Sequence, residues 1–241
     1  MMTKTKAIVL HTLKYGESKL FVNALSREYG MITLSCPTGK RKNGSSKTNC
    51  FQPLNMVEVE FEMKPKADIH PLREVRIDYP TSDIPFNPYK LSISIFIAEF
   101  LRYALNNEQK DYVMYDYIYN SIQWLDSADK GYSNFHLVFM TKLSRFIGFY
   151  PDMNSFNPGS YFDLHNGTFS TIPSFNSSTL KPSDSSIVPT LDRLTFASMH
   201  LLKMTREQRN ECTEMILKYY RLHVPNFPEL RSFNILKELF V

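Results

Sequence analysis

The amino-acid sequence predicts an α+β protein in which a small β-barrel is followed by a helical domain. Apolar runs of strand length, separated by glycine-containing turns, occupy the first 80 residues. From residue 89 onward, apolar residues recur instead at helical spacing. A segment rich in proline, residues 79–88, separates the two patterns. We therefore assign residues 1–80 to the first domain and residues 81–241 to the second.

Five strands are predicted in the first domain. The first three are joined by short segments around Gly16 and Gly30, and they span residues 7–13, 19–26 and 31–36. In the fourth, residues 55–63, glutamates at alternate positions give one acidic face and one apolar face, as in a half-solvated strand. Residues 72–77 repeat this pattern as the fifth strand. The first three runs predict antiparallel strands joined by tight turns, and five strands of this length predict a barrel of the OB type.

Apolar stripes predict an all-α second domain. Four of the predicted helices span residues 89–105, 111–125, 135–147 and 230–240. A further helix is predicted to follow a capping box at residues 205–208. A polar insertion, residues 150–189, lies between the third and fourth helices. Its residues 161–170 surround an Asn166-Gly167 pair, which predicts a small hairpin.

Composition limits the class of protein. The 241 residues are 43% hydrophobic and 22% charged, which is typical of soluble globular proteins. The N-terminal apolar run is too short for a signal peptide, and no segment offers the roughly 18 apolar residues of a membrane span. We therefore expect a cytoplasmic protein. The three cysteines form no C-x-x-C pair, so neither a disulfide framework nor a cysteine-rich zinc site is indicated.

The positive charge is concentrated in the first domain. Residues 1–80 contain 13 lysines and arginines against 8 acidic residues, whereas residues 81–241 contain 15 against 16. This asymmetry favours a polyanionic partner. Four cations lie in the polar, glycine-containing segment of residues 38–50, namely Lys40, Arg41, Lys42 and Lys47. We predict a flexible loop that contacts phosphates, and the alternative is an ordinary solvated loop.

Other side chains are candidates for the same surface. The candidate phosphate contacts on or beside the strands are Lys14, Lys19, Arg27, Arg73 and Arg76. Exposed aromatic rings, such as those of Tyr15 and Tyr29, are candidates for stacking on bases.

A second candidate site lies on the third predicted helix. Lys142 and Arg145 are one turn apart, and the aromatic and aliphatic residues Phe139, Leu143 and Phe146 lie beside them. Such a pair suits an acidic peptide with an apolar tip. The alternative is a solvated helix face without a partner.

No constellation of residues predicts catalysis. The six histidines are scattered, and neither H-E-x-x-H nor G-x-S-x-G occurs. Asp163 and His165 lie near the predicted hairpin turn, but two candidate ligands are too few for a zinc site. We expect a protein that is not an enzyme and holds no metal or cofactor.

Several short motifs, in a fixed order, resemble the bacterial RecO family of DNA repair and recombination mediators. They are AIVL at residues 7–10, YGES at 15–18, REYG at 27–30, GKRK at 39–42, QPL at 52–54 and LRS at 230–232. The resemblance implies an N-terminal OB-fold and a helical C-terminal domain. It also implies binding to single- and double-stranded DNA and annealing of complementary strands in the nucleoid. The implied partners are RecR, the tail of single-stranded-DNA-binding protein and, indirectly, RecA.

The sequence departs from this family at the hairpin. Many members carry a four-cysteine zinc module there, whereas residues 150–169 of this chain contain no cysteine. We therefore expect the hairpin to hold no zinc. Packing of its own side chains would stabilise it instead, and these are Tyr161, Phe162, Leu164 and Phe169.

Two functions from other classes remain open at this point. An OB-fold RNA-binding or translation accessory factor would share the barrel and the basic loop but prefer RNA over DNA. A hydrolase with a dispersed catalytic site in the helical domain would show a polar cluster in a deep pocket there.

Overall fold

The computed structural model describes residues 1–37, 47–64, 66–105, 110–174 and 178–238. The chain forms two compact units. The first contains Met1–Ser127 together with Leu230–Leu236, and the second contains Ala128–Glu229 together with Lys237 and Glu238. The first unit includes three helices that follow residue 80, so the division into domains of residues 1–80 and 81–241 stays a prediction.

The first unit contains a closed barrel of five strands, which confirms the predicted OB architecture. The strands are β1 Met2–Tyr15, β2 Lys19–Ser26, β3 Gly30–Pro37, β4 Met56–Glu62 and β5 Ile69–Tyr79, arranged in the order β1-β2-β3-β5-β4. All pairings are antiparallel except β3 with β5, which is parallel and joins only Thr33–Ser35 to Ile69–Pro71. The pairings among the first three strands are antiparallel, as predicted.

Alternation of side chains fills the barrel. Apolar residues at every second position of a strand point to the same face, and here they form one buried cluster that includes Val22, Leu34, Val59 and Phe61. The register of β1 against β2 shifts between Val9 and His11. The segment that was predicted as a loop is not irregular throughout, because Lys47–Cys50 forms a turn of 3-10 helix.

The first two helices of the first unit are α1 Pro88–Ala104 and α2 Tyr112–Ser127. The ends of both helices are close to those predicted. Asn87 caps α1, since its side-chain oxygen accepts hydrogen bonds from the backbone N–H groups of Tyr89 and Lys90. Pro88, at the first position of the helix, needs no acceptor because proline has no backbone N–H. Helix α1 packs against β1 with a fully buried apolar face.

The second unit contains α3 Phe135–Leu143, three short strands and three further helices. The strands are β6 Tyr161–Asp163, β7 Thr168–Ser170 and β8 Thr179–Leu180, and the helices are α4 Pro182–Ser185, α5 Ile187–Arg193 and α6 Arg206–His223. The predicted capping box of α6 is confirmed at Thr205 and Gln208. Helix α3 ends four residues before its predicted end, and β8, α4 and α5 were not predicted. A last helix, α7 Arg231–Lys237, closes the described part of the chain.

The hairpin is confirmed, but its turn is longer than the Asn-Gly pair suggested. Four residues connect β6 to β7, and β8 extends the hairpin to a sheet of three strands. The Asp163 carboxylate accepts hydrogen bonds from the backbone N–H groups of His165 and Asn166, so it stabilises the turn. Three of the four predicted side chains pack in one cluster with Tyr219, namely Phe162, Leu164 and Phe169. Tyr161 lies outside this cluster.

Candidate nucleic-acid interface

One face of the β1–β2 hairpin, near its turn, presents aromatic and apolar side chains to solvent. Residues that pair directly across two strands lie side by side on the same face of a sheet. Leu13 pairs with Phe21, and Tyr15 pairs with Lys19. The rings of Tyr15 and Phe21 are 5.6 Å apart between centroids, and 65% of the Tyr15 side chain is exposed. We call Leu13, Tyr15, Lys19 and Phe21 the hairpin face.

The hairpin face is exposed because β1 is longer than the strand on its other side. Strand β1 pairs with β4 only from Met2 to Ile8, whereas its pairing with β2 continues to Tyr15. Among the described strands, the end of β1 therefore pairs with β2 alone. Gly16 permits the tight turn, since its φ of +61° lies in the left-handed region.

Two of the predicted phosphate contacts lie next to Tyr15 in the hairpin, on opposite faces of the sheet. Lys19 lies directly across from Tyr15, and Lys14 precedes Tyr15 in β1. Both lysines are exposed, and within the described residues neither has an ion-pair partner. On the hairpin face, an aromatic ring beside the Lys19 ammonium group can stack on a base while the cation neutralises an adjacent phosphate.

Arg27, by contrast, is engaged inside the first unit. Its Nε and Nη2 atoms donate to the two carboxylate oxygens of Asp116 at 2.9 and 3.0 Å. The guanidinium also lies over the ring of Tyr112, 5.3 Å from the centroid. The hydrogen bond to Arg27 lowers the pKa of Asp116, while Asp116 raises the pKa of Arg27. A phosphate at Arg27 would therefore have to compete with a bidentate carboxylate.

Arg73 and Arg76 also have carboxylate partners. Arg73 Nη2 lies 2.6 Å from Glu62 Oε2, and Arg76 Nη2 lies 2.5 Å from Glu58 Oε1. Lys4 shares the same Glu58 oxygen at 2.8 Å. The hydrogen bond from Lys4 is the main cause of a lowered pKa at Glu58, and Arg76 adds to it. This surface therefore carries both charges, and a phosphate there would have to compete with Glu58 and Glu62.

The predicted basic loop cannot be placed. Lys40, Arg41 and Lys42 lie outside the described residues, and Lys47 begins the 3-10 turn. Their contribution to DNA binding stays a prediction.

In the second unit, the structure brings Lys142 and Arg145 together around an internal carboxylate. Asp192 Oδ1 lies 3.2 Å from Lys142 Nζ and 2.9 Å from Arg145 Nη2. Arg145 also covers the Tyr150 ring, 4.2 Å from its centroid. Phe139 and Leu143 are fully buried, so they offer no surface to a peptide. An acidic peptide would therefore have to replace Asp192.

The described residues contain no group of three or more His, Cys, Asp and Glu side chains that could hold a metal ion. Asp163 is occupied by the hairpin turn. The absence of zinc stays a prediction for elemental analysis. Across the described ranges, no helix has both the length and the apolar character needed to span a membrane.

Phe21, which is half-buried, was not among the predicted residues of this surface. The signal was available, because residues 13 and 21 are equidistant from residue 17 at the centre of the predicted turn. In an antiparallel hairpin, such residues face each other. Counting outward from the turn would have placed Phe21 beside Leu13 and next to Tyr15.

Comparison with known families identifies the group to which this barrel and its helical companion belong. Residues 1–80 match the family Recombination protein O N terminal, and residues 85–232 match Recombination protein O C terminal. The chain belongs to the RecO family. This membership confirms the resemblance and the OB-fold of the N-terminal part. The RecO family is a family of DNA repair and recombination proteins.

Full-length relatives agree with the two RecO matches. The chain is 40% identical to a protein named DNA repair protein RecO from Phocaeicola vulgatus, with 100% of both chains covered. Proteins of the same name from Bacteroides fragilis and Porphyromonas gingivalis are 37% and 31% identical, again with 100% of both chains covered. Membership of the RecO family favours the DNA repair hypothesis over the RNA-binding and hydrolase alternatives.

Proposed function

We propose that this protein is a non-catalytic recombination mediator that binds and anneals single-stranded DNA. It would help RecA to load onto strands that are coated by single-stranded-DNA-binding protein. The observation that supports this function best is the hairpin face on the OB barrel of a RecO-family chain. There the exposed Tyr15 ring lies across from Lys19, which has no carboxylate partner within the described residues.

The proposed binding combines stacking with phosphate neutralisation. Tyr15 and Phe21 would stack on unpaired bases, which every base permits because each has a π face. Lys14 and Lys19 would neutralise phosphates on either side, and the four cations of the basic loop would extend this contact. Neutralised strands repel each other less, which favours annealing of complementary strands. Double-stranded DNA would bind through phosphates alone.

The proposed partners follow from the RecO family and from the second unit. RecR and the acidic tail of single-stranded-DNA-binding protein are proposed to contact the protein directly, and RecA indirectly. For the tail, Lys142 and Arg145 remain the proposed site, with the tail carboxylates replacing Asp192. Displacement of a coating protein by such contacts needs no chemical turnover. We place this activity in the cytoplasm, on nucleoid DNA, without a membrane or a cofactor.

The first test replaces Tyr15 with alanine. Stacking contributes about 1–3 kcal/mol per base, so Tyr15→Ala should weaken binding to oligo-dT by roughly 5- to 150-fold. Tyr89→Ala is the matched control, because Tyr89 is an exposed tyrosine on α1, away from the hairpin. Fluorescence anisotropy at fixed salt measures both variants. Equal affinities for the two variants would exclude the hairpin face as a stacking surface.

The second test counts phosphate contacts. Lys14→Ala/Lys19→Ala should flatten the log–log salt dependence by about 0.7 per contact, or about 1.4 for the pair. Replacing Lys40, Arg41, Lys42 and Lys47 together should flatten it by about 3. Lys110→Ala/Lys130→Ala removes the same charge as the first pair from other exposed positions and should leave the slope unchanged. If this control flattens the slope equally, general charge rather than specific contacts governs binding.

The third test addresses the mediator activity itself. The protein should accelerate annealing of complementary strands that carry the cognate single-stranded-DNA-binding protein. It should also shorten the lag of RecA assembly on the same coated strands when RecR is present. Matched RNA and DNA oligomers in competition separate this function from the RNA-binding alternative. A preference for RNA, together with an unchanged RecA lag, would contradict the proposal.

A further inference from the structure

A groove of about 650 Å³ in the second unit is not used by the proposed function. One wall is the beginning of α6, and the other is formed by the α4–α5 segment. The residues just before α6 close one side. All of these elements belong to the second unit, so the groove does not depend on how the two units are arranged.

The floor of the groove is apolar and adaptable. Met204, Met215 and Ile187 line it as half-buried side chains, and Cys212 lies beneath them almost fully buried. Methionine side chains are unbranched and polarisable, so a groove lined by them can fit apolar side chains of different shapes. Burial raises the pKa of the Cys212 thiol to about 12, which makes this cysteine part of the floor rather than a reactive group.

Helix periodicity explains why α6 presents this wall. Residues 208, 211, 212 and 215 are separated by three or four positions, so they form one stripe along the helix. Gln208 is occupied by the capping box, where its side-chain oxygen accepts from the backbone N–H of Thr205. Glu211 and Met215 therefore remain as the side chains of this wall that are available to a ligand.

The rim of the groove carries an excess of negative charge. Among the lining residues, Asp184 and Glu211 are acidic and Lys203 is the single cation. Glu211 is exposed, and it has no hydrogen-bond or ion-pair partner within the described ranges. Asp184 accepts a hydrogen bond from the Ser183 hydroxyl at 2.9 Å and is otherwise exposed.

We infer that the groove binds a basic, apolar segment of a partner protein. The fitting ligand is a short helix that inserts aliphatic side chains between the methionines and places lysine or arginine beside Asp184 and Glu211. The two carboxylates disfavour a nucleic acid or an acidic tail, because both would bring like charge to the rim. This inference goes beyond the proposed function and does not depend on DNA binding.

The test uses two fluorescent peptides of 14 residues, both with leucines at helical spacing. One carries lysines and the other glutamates at the flanking positions. The lysine peptide should bind the wild-type protein at least tenfold more tightly than the glutamate peptide. Asp184→Lys/Glu211→Lys should reverse this preference. The matched control is Asp129→Lys/Glu229→Lys, which changes the charge equally at exposed positions outside the groove and should keep the original preference.

A second variant tests the apolar floor separately from charge. Met204→Ser should weaken the lysine peptide at least threefold without altering the preference for lysine over glutamate. Far-ultraviolet circular dichroism and an unchanged thermal unfolding midpoint establish that each variant is folded. The inference is wrong if the lysine peptide does not bind or if the groove and control variants behave alike. It is also wrong if light scattering shows self-association that only the groove variant loses, since the occupant would then be a second copy.

Discussion

The two β-sheets of this chain are stabilised in different ways. The barrel has strands of 7 to 14 residues that close on themselves around a largely aliphatic core. The sheet of the second unit has strands of two or three residues, and its core is built from the rings of Phe162, Phe169 and Tyr219. Long ladders contribute many backbone hydrogen bonds, whereas such short ladders contribute few. The small sheet therefore depends on individual side chains.

Aromatic side chains pack around the hairpin, where the family resemblance implies a zinc module in other members. Phe162 lies 4.6 Å from Phe169 and 6.0 Å from Tyr219, between ring centroids. His223 stacks on Phe149 at 5.0 Å and lies within hydrogen-bonding distance of the Leu164 carbonyl oxygen. Aromatic rings thus pack against the short hairpin and contribute to its stability.

The largest expected effect follows from removing one of these rings. Phe162 is 1% exposed, and Phe162→Ala should cost about 3–5 kcal/mol of local stability. Hydrogen exchange should show lost protection at the β6 and β7 amides, while barrel amides keep theirs. Leu34→Ala in the barrel is the companion variant, and it should lower global stability without releasing a single strand. If β6 and β7 remain protected in Phe162→Ala, the backbone ladder rather than the ring stabilises the small sheet.

The first unit also has one place that depends on a single side chain. The Asp126 carboxylate of α2 accepts hydrogen bonds from three consecutive backbone N–H groups, those of residues 82–84, at 2.9 to 3.1 Å. Hydrogen bonds to a charged group contribute about 1.5–3 kcal/mol. Asp126→Asn should therefore cost about 2 kcal/mol in urea unfolding at neutral pH. A loss as small as that of an exposed Asp129→Asn control would show that the segment is held by other contacts.

The same carboxylate predicts a pH dependence. Burial acts to raise the pKa of Asp126, but the hydrogen bonds from Ile84, Ser82 and Asp83 outweigh it, and the pKa is lowered. The stabilisation is therefore complete above the unfolded value of about 3.9 and is lost as pH falls through the lower folded value. The stability difference between wild type and Asp126→Asn should shrink in that window. A constant difference down to pH 2 would contradict this assignment.

The smallest expected effects come from a matched pair of glycines, one in each sheet. Gly16 and Gly167 both have a positive φ, so alanine should cost about 1–2 kcal/mol at either position. A Cβ at Gly16 meets no atom within 4 Å, whereas one at Gly167 would lie 2.6 Å from the Tyr219 hydroxyl. That hydroxyl donates to the Phe149 carbonyl oxygen. Thermal unfolding should therefore show the larger loss for Gly167→Ala, and equal losses would mean that Tyr219 moves freely.

The alternation of apolar and polar residues predicted the barrel more accurately than it predicted where the strands begin and end. Strand β2 has the predicted bounds, because its apolar run stops at turn residues on both sides. Strand β1 begins five residues before its predicted start, and there Thr3 and Thr5 face the interior. Polar residues at buried positions give no apolar signal. Pairing with β4, which the sequence does not specify, extends the strand.

The sequence predicted the positive charges of the candidate site, but not which of the cations are already paired with a carboxylate. The sequence identified the cations, yet it could not show which ones have partners. Asp116, which binds Arg27, lies 89 positions away, and Asp192 lies 50 positions from Lys142. Only the fold brings such pairs together. Lys14 and Lys19 differ from the arginines because they lie at the turn end of the β1–β2 hairpin, beyond the part of β1 that pairs with β4.

The parallel seam between β3 and β5 has a consequence for the time course of folding. Strands β1, β2 and β3 are joined by turns of three residues, so their hairpins can form as soon as the chain collapses. The seam joins residues 36 positions apart through three pairs, and Pro71 in the last pair has no N–H to donate. Closure must therefore wait until the meander and β4 have brought the two edges together. We expect the open sheet to be a late kinetic species, and closure of the seam to set the folding rate of the barrel.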